Sequence, residues 1–150
     1  MTGRGHHIAA AGGGTGLFLW ACQSMSIQDA TVLGVACVLG GKAPDWLEIP
    51  LWNGQGRVIP HRRITHWVSG WLAVLGTSFF METPMSMAVA GFSIGGLIHL
   101  SGDLLTPMGV PVLHPWSRTQ GMQAGSPAWK ELGWIAAVWR AAFVPYWQYG

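Results

Sequence analysis

The chain has 150 residues, too few for two independent hydrophobic cores, so one domain is expected. Half of the residues are hydrophobic and 9% are charged, against about 25% in soluble proteins, which excludes both disorder and an ordinary solvated surface. Basic and acidic residues nearly balance at a formal net charge of +2 with no Lys/Arg-rich run, so membrane lipid is an expected partner and nucleic acid is not.

No Asp, Glu, Lys or Arg lies between Arg4 and Asp29, and residues 8–24 (IAAAGGGTGLFLWACQS) read as a first helix, somewhat short for a hydrocarbon layer of about 30 Å. Residues 30–41 (ATVLGVACVLGG) form a second apolar segment that spans only if its helix begins near Ile27 or the bilayer thins around it. The stretch 42–63 gathers Lys42, Asp45, Glu48, Arg57, Arg62 and Arg63 with Pro44, Pro50 and Pro60, and reads as a loop. Residues 64–81 (ITHWVSGWLAVLGTSFFM) predict a third helix, Glu82 to Pro84 a turn, and residues 85–105 a fourth helix whose Gly91, Gly95 and Gly96 permit close approach to a neighbour. Pro107, Pro111, Pro115 and Pro127 make 106–129 irregular, and residues 132–147, interrupted by Arg140 and Pro145, predict a fifth helix that spans or lies in the interface. The expected fold class is therefore all-α: a polytopic helical membrane protein of four to five helices. Cys22 and Cys37 sit in apolar runs without CxxC spacing and read as small buried hydrophobes.

If the first four helices alternate in direction, Arg4, the loop with Lys42, Arg57, Arg62 and Arg63, and the loop with Arg118 and Lys130 share one side, while the turns at 25–29 and 82–86 carry no Lys or Arg. The positive-inside bias places that side, with the N-terminus, in the cytoplasm. Trp46, Trp52, Trp67, Trp116 and Trp129 flank the same face, as amphipathic rings do at a headgroup layer.

The titratable chemistry gathers there too. His6 and His7 precede the first helix, His61 and His66 open the third, His99 lies in the last turns of the fourth, and His114 follows it. Asp45 after the second helix and Asp103 at the end of the fourth add two carboxylates, giving the mixed imidazole and carboxylate supply of a hydrolytic zinc-type site. His99 and Asp103 are four apart, on one helix face one turn apart, and can bind one ion. His61 and His66, five apart, fall about 140° apart around a helix and converge only if His61 is on non-helical backbone, which Pro60 favours. An ionisable group at membrane depth is costly, which favours function for His99 and Asp103 over a satisfied internal hydrogen bond. His6 and His7 read equally as ligands or a solvated pair, and His114 as a ligand or an interfacial ring. Arg62 and Arg63 either mark the positive side or hold a phosphate or carboxylate oxygen of a substrate. Asp29 and Glu82, in the opposite turns, read as solvated caps.

The segments GHH (5–7), APDW (43–46), HRRITH (61–66) and HLSGDLLTPMGVPVLHPW (99–116) together resemble the YdjM family of bacterial inner-membrane proteins, described as metal-dependent hydrolases. The resemblance runs from about His6 to Trp116, and HRxxTH with HxxxDxLTPxGVPxLxP is its specific part. It implies His6, Asp45, His61, His66, His99 and Asp103 as the metal set, with Arg62 and Thr65 beside it. Where the family reads PDxD this chain has Pro44-Asp45-Trp46-Leu47, with Glu48 the nearest replacement for the second Asp, and Arg63 stands where the family carries a small residue. The order of His, Asp and HxxxD on helices is also similar in spacing to the zinc-dependent phospholipase C and single-strand nuclease group.

The function expected is hydrolysis of a phosphoester or related ester, on a lipid headgroup or lipid-linked substrate at the cytoplasmic face of the bacterial inner membrane. One or two divalent ions, zinc by donor type, would activate water, Asp45 or Asp103 would take its proton, and Arg62 would stabilise charge on substrate oxygens. The rival expectation is a membrane scaffold or partner-binding subunit whose metal only pins helix ends together. A transporter is disfavoured because the opposite half of these helices offers little beyond Thr77, Ser78 and Ser86.

Overall fold

The computed structural model describes residues 3–48, 52–53, 56–57, 62–121 and 128–149. Within them the chain forms α1 (Gly3–Ala21), α2 (Ile27–Gly40), the single turn α3 (Ala43–Trp46), α4 (Val68–Thr77) continued by a 3₁₀ turn at Ser78–Phe80, α5 (Met85–Leu104) and α6 (Ala128–Tyr149). Two-residue strands make two antiparallel ladders, β1 (Trp52–Asn53) with β2 (Gly56–Arg57), and β3 (Val110–Pro111) with β4 (Thr119–Gln120). The all-α class is as expected.

Boundaries follow local chemistry. Helix α2 does begin at Ile27: its cap is Ser26, whose hydroxyl accepts from Asp29 N at 3.1 Å and donates to Asp29 Oδ2 at 2.7 Å, so Asp29 supports the cap from inside the first turn rather than being the cap itself. Helix α1 begins at Gly3 rather than at residue 8, which puts His6 and His7 inside its first turns instead of ahead of it, where His6 packs on His99 of α5. Helix α4 begins at Val68 rather than at residue 64, because the backbone before it is committed elsewhere: the Thr65 carbonyl accepts from Trp71 Nε1 at 2.7 Å, and Ser69 N bonds the Val112 carbonyl at 3.1 Å. The loop after α2 contains α3, whose Pro44 sits in its first turn, where a missing N–H costs nothing.

Helix α5 is the spine, packed against α1, α2 and α4, and its sequence shows why. Its buried residues include Gly91, Ser93, Gly95, Gly96, His99, Gly102 and Asp103, and those of α2 are Ala30, Leu33, Gly34, Cys37 and Gly40. Small and polar side chains thus face inward, while Ile27, Val35, Leu39, Leu72, Phe79 and Phe80 point out. That polarity is inverted relative to a water-soluble bundle and suits helices packed in lipid. At the α2–α5 contact backbone meets backbone: a Cβ on Gly91 would strike the Leu33 carbonyl, and one on Gly95 the Cys37 carbonyl. Cys37 is buried there as expected, but Cys22 is exposed just beyond the end of α1, where the chain turns away from the bundle.

Among the described residues α5, with 20 residues, is the one helix long and apolar enough to cross a membrane. At 14 residues α2 is about 21 Å long, and α4 is shorter still. Several full-length spans are therefore not evident from helix length.

Candidate metal centre

The C-terminal end of α5, the N-terminal end of α1, the α2–α3 junction and the turn before α4 meet in one layer. His99 and Asp103 project from α5 on one face, as their spacing predicts, and both are 1% exposed. His6 of α1 stacks on His99 with ring centroids 3.9 Å apart, and His66 meets His99 edge-on at 5.5 Å. Asp45, on α3, reaches in from the half-exposed side.

Two groups of donors able to hold a metal ion result, His6–His99–Asp103 and Asp45–His66–His99. Asp45 Oδ1 lies 3.4 Å from His66 Nε2 and 3.7 Å from His99 Nε2, while Asp103 Oδ2 lies 3.5 Å from each of the same two nitrogens. These separations exceed the usual N–H···O range. They fit an ion instead: ligands about 2.1 Å from a tetrahedral centre stand about 3.4 Å apart. The tautomer of His99 supports the same reading. Its Nδ1 lies 2.9 Å from the Gly41 carbonyl, which can only accept, so Nδ1 carries the hydrogen. In the neutral ring Nε2 is then a lone pair aimed at two carboxylate oxygens, an arrangement that a cation between them relieves. His99 belongs to both groups but offers one such lone pair, so a single ion is the simplest occupant.

A second layer of contacts orients the donors. His66 Nδ1 lies 3.1 Å from Thr65 Oγ1. Arg62 holds Asp103 Oδ1 through Nη2 at 2.8 Å and donates from Nη1 to Thr106 Oγ1 at 2.8 Å, and Thr106 Oγ1 in turn donates to the Asp103 carbonyl at 2.7 Å. Arg62 does this from left-handed backbone, φ 62°, a conformation that costs a non-glycine residue about 1–3 kcal/mol and persists only where its surroundings enforce it. Both terminal nitrogens of Arg62, expected to face substrate, are thus turned inward. Arg63 donates to the Ser117 carbonyl at 3.0 Å. His6 Nε2 completes the surroundings of Asp103 at 3.3 Å from Oδ1. The His66 ring beside Asp45 holds that carboxyl below its ordinary range, so it is ionised at neutral pH.

Of the expected ligands, His6, Asp45, His66, His99 and Asp103 converge, and His61 lies outside the described residues. His114 is exposed and accepts from Trp116 N at 3.3 Å, away from both donor groups. Glu48 belongs to neither. No sequence signal marked Gly41, whose carbonyl fixes His99, or Lys42, which with His6, His7, Asp45 and His99 lines a cavity of about 220 Å³ on the open side of the cluster; His7, read from the sequence as either a ligand or a solvated residue, belongs to neither donor group.

The family model for the YdjM inner membrane protein matches residues 1–148. Two curated relatives, each called inner membrane protein YdjM, from Escherichia coli (strain K12) and Shigella flexneri, are 34% identical to the chain over 80 residues. The matched stretch covers 50% of this chain and 38% of either relative, so the chain spans well under half the length of both. No solved structure matches the chain.

Proposed function

The chain belongs to the YdjM inner membrane protein family, and we propose that it is a metal-dependent hydrolase acting at the cytoplasmic face of the bacterial inner membrane on a phosphoester or related ester carried by a lipid. The observation that carries this reading is the open side of the donor cluster. A structural metal is enclosed by protein, whereas here Asp45 has a side chain 52% exposed and the cavity of about 220 Å³ has His6, Asp45 and His99 in its wall. His66, His99 and Asp103 would hold one ion, zinc by donor type and spacing, with His6 against Asp103 and Asp45 on the open side. When bound, that ion supplies Lewis acidity to the scissile bond and to the attacking water.

The chain's own residues divide the remaining work. Asp103 is engaged through both oxygens with Arg62, His6, His66 and His99 and is a holder rather than a base. Asp45, ionised and reachable from the cavity, takes the proton of the attacking water. Arg62 positions Asp103 instead of touching substrate. A lipid-borne substrate is supported by an apolar groove of about 430 Å³ along α1, α5 and α6, lined by Leu17, Ile94, Ile98 and Val138, which extends from the same helices as His6 and His99 and would take an acyl chain.

Two measurements check this reading. Elemental analysis should find about one divalent ion per chain; chelation should abolish hydrolysis of lipid or phosphodiester substrates, and Asp45→Asn should lose turnover by about a hundredfold or more while keeping most of the metal. A metal-saturated protein with no turnover on such substrates leaves only a scaffold. For orientation, the Lys/Arg asymmetry and the outward-facing apolar residues support a polytopic arrangement with the N-terminus cytoplasmic. In a Cys22→Ser background, Arg57→Cys and Pro84→Cys should label from opposite sides of the membrane, and labelling of both from one side would sink that topology.

A further inference from the structure

We propose that Lys42 and His7 form the subsite that binds the anionic phosphoryl group of the substrate, an assignment that rests on the hydrolase reading above. The two arginines that sequence position would choose are occupied: Arg62 by Asp103 and Thr106, Arg63 by the Ser117 carbonyl. Lys42 is exposed at the start of α3, immediately after the carbonyl that holds His99, and makes no ion pair with any described residue. His7 is exposed one residue after His6, so α1 turns His6 into the cluster and His7 toward the cavity. Lys42 and His7 thus border the same space as His6, Asp45 and His99 of the cluster.

Charge arithmetic selects the ligand class. A divalent ion is balanced by the Asp45 and Asp103 carboxylates, which leaves the charges of Arg62 and Lys42 in excess. Arg62 is buried behind Asp103 and Lys42 faces the opening, so the field at the cavity mouth draws an anion. An ammonium with three donors and an imidazole N–H suit the several acceptor oxygens of a phosphoryl group, which can bridge both.

The test is binding of inorganic phosphate to the metal-loaded protein, followed by calorimetry, with metal content measured on each variant. Lys42→Ala should weaken phosphate binding about tenfold or more and His7→Ala by a smaller factor, with unchanged metal content, and Lys42→Arg should restore most of the affinity. Arg63→Ala should leave the affinity unchanged. Competition by phosphatidic acid in mixed micelles, with none by phosphatidylcholine, would make a lipid headgroup the source of the phosphoryl group; lack of competition would make it a soluble phosphate, with the subsite intact in either case. Wild-type phosphate affinity in Lys42→Ala, or no phosphate binding by the metal-loaded wild type, overturns the assignment. Failure of the hydrolase reading has a different signature, which is absent metal or absent turnover.

Discussion

Asp103→Asn should strip the protein of its metal and lower its stability by about 3–5 kcal/mol. The carboxamide preserves volume but removes the charge that four side chains address: Arg62 at 2.8 Å, His6 at 3.3 Å, and His66 and His99 at 3.5 Å. The Arg62 side chain, 13% exposed, is then left mostly buried without its counter-charge, and its left-handed backbone loses the contact that enforces it. Tryptic cleavage at Arg62 and Arg63 should rise in parallel with the fall in melting temperature. His99→Ala is the informative comparison. It should also abolish metal binding, but it leaves the Arg62–Asp103 pair whole, so its metal-free form should melt well above that of Asp103→Asn. Full metal content in both variants would remove the basis for the site.

How far the sequence spoke for this arrangement depended on whether a feature is local. The pairing of His99 with Asp103 is a property of helical spacing, and the start of α2 at Ile27 follows from a serine and an aspartate placed to cap it. The one-turn α3 was hidden because Pro44 reads as a loop residue unless it is recognised as a helix-start residue, yet this turn delivers Asp45. The direction of Arg62 was not legible at all. Its neighbours His61 and Arg63 suggest a cationic patch, but its orientation is set by a left-handed backbone and by Thr106, distant in sequence. The shared placement of His7 and Lys42 was not legible for a related reason: each is adjacent in sequence to a residue that faces inward, and only the meeting of α1 with the α2–α3 junction brings both to one opening.

Helix lengths were misread because apolar composition marks what lies in or against lipid, not what is helical. Residues 64–67 belong to the same uncharged run as the helix they precede, but the Thr65 carbonyl is used by Trp71 Nε1 and the Ser69 amide by the Val112 carbonyl. The same commitment shortens α4 and leaves His66 in a turn, free to aim at Asp45 and Asp103 rather than being fixed to a helix face. A site made from three helix ends and a turn thus requires helices that stop early.

Gly95→Val should damage the metal centre without touching any ligand. A Cβ at position 95 would collide with the Cys37 carbonyl and with Gly41 N, so α2 must move away from α5 or tilt. Backbone cannot yield as a flexible side chain does, and overpacking of this kind costs about 3 kcal/mol or more. The displacement falls on the segment that matters most: Gly41 N bonds the Cys37 carbonyl at 3.1 Å, and the Gly41 carbonyl fixes the His99 tautomer at 2.9 Å. Losing that second contact frees the His99 ring, and removal of such an orienting partner ordinarily weakens metal affinity about 10–100-fold. Gly76→Ala, on α4 with open space around it, is the matched control and should bind metal as the wild type does, with stability unchanged or raised by up to about 1 kcal/mol. Metal affinity by competition with a chelator and melting in detergent would read both quantities. Wild-type affinity in Gly95→Val would mean that the close α2–α5 contact packs the bundle but does not set the geometry of the centre.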